Sequence, residues 1–134
     1  LYLMGSEKEK TDVVIIACGV LVYNALKAGE ELRKEGARVA VINSPSIKPL
    51  DEELIIKAAK KSNAVVTVEE HQIAGGLGSC VAECLAKNYP VPMEFIGVND
   101  SFGESGNPWE LIEKYEMGVD AIKKAAKRAI ARKH

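Results

Sequence analysis

Four short runs of β-type residues alternate along the chain with segments of helical periodicity. They are Asp12–Cys18 (DVVIIAC), Arg38–Ile42 (RVAVI), Ala64–Val68 (AVVTV) and Met93–Val98 (MEFIGV). The first and third are almost unbroken apolar runs, the pattern of strands covered on both faces, as in parallel sheets. After the first run, Leu21, Ala25, Ala28 and Leu32 recur at helical spacing, opposite a wet face of Lys27, Glu30, Glu31, Arg33 and Lys34. Gly36 supplies the stop. A second helix is predicted beyond Pro49-Leu50, with Asp51 capping the amide of Glu53 or Leu54 and Leu54, Ile55, Ala58 and Ala59 forming its apolar stripe. A third, rich in small residues, is predicted from Gly76 to Lys87. Asn107-Pro108-Trp109-Glu110 reads as another helix start: a cap, a first-turn proline and a capping-box acid. A last helix is predicted over Val119–Arg132, with Val119, Ile122, Ala126 and Ile130 inward.

This alternation predicts an α/β layered fold with a mostly parallel sheet. Leu1–Met4 is predicted as an added edge strand and Gly5–Lys10 as a charged turn, so residues 1–11 form a lead-in strand and turn. At 134 residues the chain has room for one domain, and the expectation is a single domain over 1–134 without repeat or linker. A chain of this length buries roughly two-thirds of its unfolded surface, enough for a core without metal or disulfide staples.

Charge narrows the function classes. Lys plus Arg is 18, Asp plus Glu is 19, and the net charge is −1, which argues against nucleic-acid binding driven by excess cations. Hydrophobic residues are 47% and charged residues 28%, the balance of a globular chain. No run reaches the roughly eighteen apolar residues of a membrane span. Leu1-Tyr2-Leu3-Met4 is too short for a signal peptide and lacks a basic lead. The absence of Met at position 1 raises the expectation that a longer sequence precedes it. Cys18, Cys80 and Cys84 are odd in number and contain no CxxC pair, which fits a reduced, cytoplasmic setting. Cys80 and Cys84 would share a helix face, but no His or acid completes a ligand set. Core packing is their expected role, and no metal site is assigned.

The candidate chemistry lies in loops. Gly75-Gly76-Leu77-Gly78-Ser79 follows a strand and opens a helix, where free amides can bind an anion. The dinucleotide fingerprint fails, because Val81 stands where the third glycine belongs. Tight turning and close packing are the simpler use of these glycines. His71 follows the third strand behind Glu69 and Glu70, at the end of the sheet where open α/β folds place ligands. An imidazole beside two acids can shuttle protons, yet no nucleophile accompanies it, and a surface or interface hydrogen bond is the expected role. Asn99–Asn107 (NDSFGESGN) is an elaborate polar loop of the kind that carries recognition, with Phe102 alternatively plugging the core. Trp109 is expected as a packing or interface anchor. Lys123, Lys124, Lys127, Arg128, Arg132 and Lys133 sit near a helix C-terminus, where cations favour the dipole, so they read as a solvated face. The residues alone yield no catalytic set.

Taken in order, several segments resemble the C-terminal domain of transketolase. Asp12–Gly19 is similar to the opening strand and glycine turn of that domain, and Ser46-Ile47-Lys48-Pro49-Leu50-Asp51 to the family's "(T/S)IKPLD" segment. Val68-Glu69-Glu70-His71 followed by Gly75–Ser79 resembles its "VE(E/D)H…GG(L/I)G" block. Most specific is Phe102-Gly103-Glu104-Ser105-Gly106-Asn107-Pro108 with Glu110–Tyr115, similar to "F-G-x-S-G-x-P-x-E-L-L-x-K-Y-G". Glu116-Met117 departs from the usual Gly-Leu and leaves a local turn in doubt. Related thiamine enzymes share the domain: 2-oxoacid dehydrogenase β subunits, 1-deoxyxylulose-5-phosphate synthase and dihydroxyacetone synthase. Phe102–Pro108 favours transketolase over the first two.

The resemblance implies a three-layer α/β/α sandwich around a mixed, mostly parallel five-stranded sheet. It implies a transferase of two-carbon ketol units between sugar phosphates, using thiamine diphosphate and Mg²⁺, within the pentose phosphate pathway. Cofactor and catalytic glutamate belong to the preceding domains in that family, so no catalytic, cofactor-binding or metal residue carries over, and this domain alone is expected to be inactive. Its expected role is to support a homodimer and assembly with the N-terminal thiamine-binding domains or subunit. His71, Gly75, Gly76, Gly78, Phe102, Ser105 and Gly106 become candidate interface or ligand contacts. The reading from another class is a stand-alone anion- or nucleotide-binding regulatory module using the helix start at Gly76–Ser79.

Overall fold

The computed structural model describes residues 1–45, 49–70, 76–98 and 108–133. Its sheet is five-stranded, built from β1 (Tyr2–Met4), β2 (Val13–Ala17), β3 (Val39–Asn43), β4 (Val65–Glu70) and β5 (Met93–Val98), in the order β1-β3-β2-β4-β5. The strands β3, β2, β4 and β5 are parallel, and β1 alone runs antiparallel, on the outer edge of β3. The central strand β2 is in register with both neighbours, Ile15 lying opposite Val41 on one side and Val66 on the other.

The unbroken apolar run of β2 follows from its two covered faces. Val13, Ile15 and Ala17 pack under α1 (Val22–Lys34) and α4 (Pro108–Ala131). Val14 and Ile16 pack under α2 (Glu52–Ser62) and α3 (Leu77–Asn88). All five are fully buried. The result is the expected three-layer α/β/α sandwich, with one apolar core on each face of the sheet.

Local signals act as the sequence indicates. Leu21, Ala25, Ala28 and Leu32 are buried together. Gly36, at φ +98°, ends α1 by donating its N–H to the Arg33 carbonyl at 3.0 Å, a conformation open to glycine and costly for other residues. Asp51 caps α2 by accepting from Leu54 N–H at 3.2 Å. Cys84 lies in the core and Cys80 is half-buried, in keeping with packing.

Several boundaries differ from expectation, β2 covering Val13–Ala17 within the expected Asp12–Cys18 and α3 Leu77–Asn88 against Gly76–Lys87. Strand β3 runs on to Asn43, and β4 runs on to Glu70 because parallel pairing with Gly97 and Val98 continues past its last apolar residue. The two expected C-terminal helices are one, α4, continuous from Pro108 to Ala131. Glu116 and Met117 are good helix formers standing where the family's glycine would break the helix.

The cationic positions of α4 are more than a solvated face. Lys123 bridges Glu31 at 3.1 Å and Glu35 at 2.7 Å, and Lys127 also reaches Glu35 at 2.7 Å, joining α4 to the end of α1. Arg128 and Arg132 clasp Glu94 of β5 at 2.9 and 2.6 Å. Hydrogen bonds from Lys123, then Lys127, pull the Glu35 carboxyl down from 4.5 to about 2. A carboxylate with a depressed folded pKa stabilises the fold fully above its unfolded pKa and loses that contribution as pH falls through the folded one. This part of stability should therefore decline between about pH 4.5 and 2. Denaturant titrations across that range should show a shallower acid decline in Glu35→Gln. Equal slopes would show that the seam does not titrate as described.

Candidate functional site

The carboxyl ends of the parallel strands form one rim of the sheet, and the polypeptide ties them together. Ser44 N–H donates to the Ala17 carbonyl at 2.9 Å, linking β3 to β2, and Cys18 N–H donates to the Val68 carbonyl at 3.4 Å, linking β2 to β4. In sheets of this kind the rim near the reversal of strand order is where ligands bind. Here the order reverses at β2, flanked by β3 and β4.

At the β4 end of the rim, a buried carboxylate meets the start of α3. Glu69 is 7% exposed. Its Oε1 accepts from Leu77 N–H at 3.2 Å and its Oε2 from Gly78 N–H at 2.7 Å. These are first-turn amides without intrahelical partners, and Gly76 at the cap position has no side chain to satisfy them. The negative carboxylate also suits the positive end of the helix dipole. Gly78 is needed for a different reason than turning. A Cβ there would lie 2.9 Å from Glu69 Oε2, 3.0 Å from Phe95 Cδ1 and 3.2 Å from Thr67 Oγ1. Thr67 is fully buried, and its hydroxyl has no hydrogen-bond partner among the described residues.

This arrangement bears directly on the anion reading of the glycine segment. The amides that a phosphate would need are already taken by the protein's own carboxylate. Nor do the described residues fit thiamine diphosphate or its cation: the start of α3 is filled, and no cluster of three or more His, Cys, Asp or Glu among them could hold a metal.

Of the candidate contacts, Gly76 is the cap residue of α3, and Gly78 lies in its first turn against β4 and β5. His71, Gly75, Phe102, Ser105 and Gly106 lie outside the described residues, as do Ser46, Ile47 and Lys48 and the packing of the Trp109 side chain. The residue that sequence reading under-used is Glu69. Its signal was a carboxylate at a strand end preceding a helix whose cap position holds glycine instead of Ser, Thr, Asp or Asn.

A solved structure described as a split gene transketolase, inactive β4 tetramer, shares this architecture with a TM-score of 0.80 and 44% identity, over 94% of this chain and 41% of that one. The fold is thus that of a transketolase C-terminal module. The family described as "Transketolase, C-terminal domain" matches residues 5–122, and the chain belongs to that family. It is 44% identical over 127 residues to the 6-deoxy-6-sulfo-D-fructose transketolase subunit of Clostridium sp. (strain MSTE9), covering 95% of this chain and 39% of the relative. It is also 38% identical over 121 residues to the 1-deoxy-D-xylulose-5-phosphate synthase of Heliobacterium modesticaldum (strain ATCC 51547 / Ice1), covering 90% of this chain and 19% of that enzyme. The chain spans about two-fifths of the length of the first of these relatives. Among the described residues, no helix is long and apolar enough to cross a membrane.

Proposed function

We propose that this chain is the C-terminal module of a transketolase-type enzyme, supporting dimerisation and assembly with a thiamine-binding portion. That portion would hold thiamine diphosphate and Mg²⁺ and carry out two-carbon ketol transfer between sugar phosphates. The observation that carries this reading is the 44% identity, over 95% of the chain, to a subunit named as a transketolase. The internal carboxylate at α3 agrees with it, since it makes that helix start a structural joint and leaves a stand-alone anion- or nucleotide-binding module without its binding amides. His71, Gly75, Gly76, Phe102, Ser105 and Gly106 are assigned as contacts to the thiamine-binding portion or the second subunit, whereas Gly78, buried against Glu69, Thr67 and Phe95, serves the closing of α3 on the sheet.

The match to a 1-deoxy-D-xylulose-5-phosphate synthase keeps that chemistry as the second reading. Reconstitution with the thiamine-binding portion separates the two. Ketol transfer from a ketose phosphate to an aldose phosphate is the expected activity, absent from this chain alone. Formation of 1-deoxy-D-xylulose 5-phosphate, without ketol transfer, would move the assignment to the second reading. In the same complex His71→Ala should weaken assembly in the analytical ultracentrifuge, and unchanged assembly would remove His71 from the interface.

A further inference from the structure

The strand β5 ends the sheet on one side, and no strand lies beyond it. Its six residues, Met93-Glu94-Phe95-Ile96-Gly97-Val98, are rich in β-formers and carry one charge. The Pro92 carbonyl accepts from Val65 N–H at 3.0 Å and so points inward, to β4. Backbone polar groups alternate in direction along a strand, which turns the N–H and C=O groups of Met93, Phe95 and Gly97 outward. Phe95 is 56% exposed beside this open row. Such a row is a template for pairing with another chain. The opposite edge of the sheet is a poorer template, because β1 has three residues and a register shift between Tyr2 and Met4.

Among the described residues, a single hydrogen bond reaches the backbone of β5 from its open side. Arg132 Nη1 donates to the Met93 carbonyl at 2.9 Å and also to Glu94 Oε2 at 2.6 Å. The guanidinium is held in place from two directions. Its own backbone continues the last turn of α4, Arg132 N–H donating to the Arg128 carbonyl at 3.1 Å. Arg128 Nε fixes the other Glu94 oxygen at 2.9 Å. Neutralising Glu94 accounts for the two ion pairs but not for the bond to the Met93 carbonyl.

The geometry of self-pairing shows what that bond prevents. Two copies meeting antiparallel about a two-fold axis at Phe95 would exchange the N–H and C=O groups of their Phe95 residues, with the rings as cross-strand neighbours. Met93 of each copy would stand opposite Gly97 of the other, where no side chain obstructs. Its carbonyl would accept from that glycine's N–H. Arg132 already occupies this carbonyl, and its charged group stands in the path of the incoming strand. By symmetry both flanks of the pairing are blocked, which leaves the central pair alone.

We infer that Arg132 is an edge guard: by holding the outward Met93 carbonyl it keeps β5 from pairing with β5 of a second copy of this chain. The dimer of the proposed function then uses another surface. The inference holds whichever enzyme the module serves.

Sedimentation over a concentration series compares the parent with Arg132→Ala, Glu94→Gln and the double variant Arg132→Ala/Phe95→Pro. Arg132→Ala should self-associate about tenfold or more tightly than the parent, the gain expected from two or so main-chain hydrogen bonds. Glu94→Gln removes the charge of the same ion pair but leaves the guanidinium on Met93. It should therefore associate as the parent does while melting lower, as Arg132→Ala also should. The outward N–H of Phe95 makes no ladder bond, so the fold tolerates Phe95→Pro, and the double variant should return to the parent's behaviour. Hydrogen exchange provides a readout without proline. In Arg132→Ala the amides of Met93, Phe95 and Gly97 should slow about tenfold as concentration rises, while in the parent they exchange fast throughout. Association of Arg132→Ala equal to the parent's overturns the inference. So does association that persists with Phe95→Pro, or that leaves the amides of 93, 95 and 97 fast, since the contact then lies elsewhere. Association of Glu94→Gln as strong as that of Arg132→Ala overturns it too, by tracing the effect to the lost ion pair.

Discussion

Replacing Glu69 with alanine should destabilise the chain by about 2–3 kcal/mol, seen as a fall of roughly 8–12 °C in melting temperature for a domain of this size. The carboxylate is buried and accepts two amides of the first turn of α3, at 2.7 and 3.2 Å. Hydrogen bonds to a charged acceptor contribute about 1.5–3 kcal/mol each in favourable cases. Water entering the vacated space recovers part of that sum, so the net loss stays below two full bonds. Glu69→Gln should cost about half as much, because its one carbonyl oxygen still serves Gly78 while its amide nitrogen cannot accept from Leu77. Phosphate or sulfate should then partly restore Glu69→Ala and leave the parent unmoved, since only the variant frees the helix amides for an anion. An alanine variant as stable as the parent, or a parent stabilised by phosphate, would show that the carboxylate does not hold this joint.

That joint shows where sequence reading stops. Capping rules look within a turn of the helix start, whereas Glu69 precedes the amides it serves by eight and nine residues. Only the return of the chain from β4 to α3 brings them together. Strand limits failed for a related reason. Apolar runs mark strands where both faces are covered, so β2 was legible to within a residue at each end, but Asn43, Glu69 and Glu70 continue their strands through backbone pairing, which polar side chains do not signal. Local backbone chemistry was read well: Asp51 and Gly36 each act within a few residues of themselves. The pairing of Lys123 and Lys127 with Glu35 was not, because it joins helices distant in sequence. Gly78, one of the candidate contacts, packs against Glu69, Thr67 and Phe95 of the protein's own sheet, neighbours that its place in a glycine-rich segment does not reveal.

Gly78→Val should cost about 2–3 kcal/mol, and Gly78→Ala fixes the reason. Two opposing effects meet at this position. Alanine is better than glycine in a helix by up to about 1 kcal/mol, less in a first turn, so propensity alone would make the variant more stable. Against this, the new Cβ would stand 2.9 Å from Glu69 Oε2, 3.0 Å from Phe95 Cδ1 and 3.2 Å from Thr67 Oγ1. Phe95 is 56% exposed and its ring can swing toward solvent. Glu69 is pinned by the amides it accepts from, and Thr67 is fully buried on β4, so these two cannot give without lifting α3 from the sheet. Overpacking of that kind costs about 1–3 kcal/mol, which exceeds the propensity gain. Alanine should therefore be destabilising by about 1 kcal/mol and valine by more, its γ-methyls adding volume where no space remains. Denaturant midpoints for the two variants, alone and combined with Phe95→Ala, decide the matter. Removing the ring should recover only a minor part of the loss, because the immovable neighbours lie on β4. A Gly78→Ala chain more stable than the parent would mean that the helix start shifts freely, and that the glycine is not there for the close approach of α3 to Glu69.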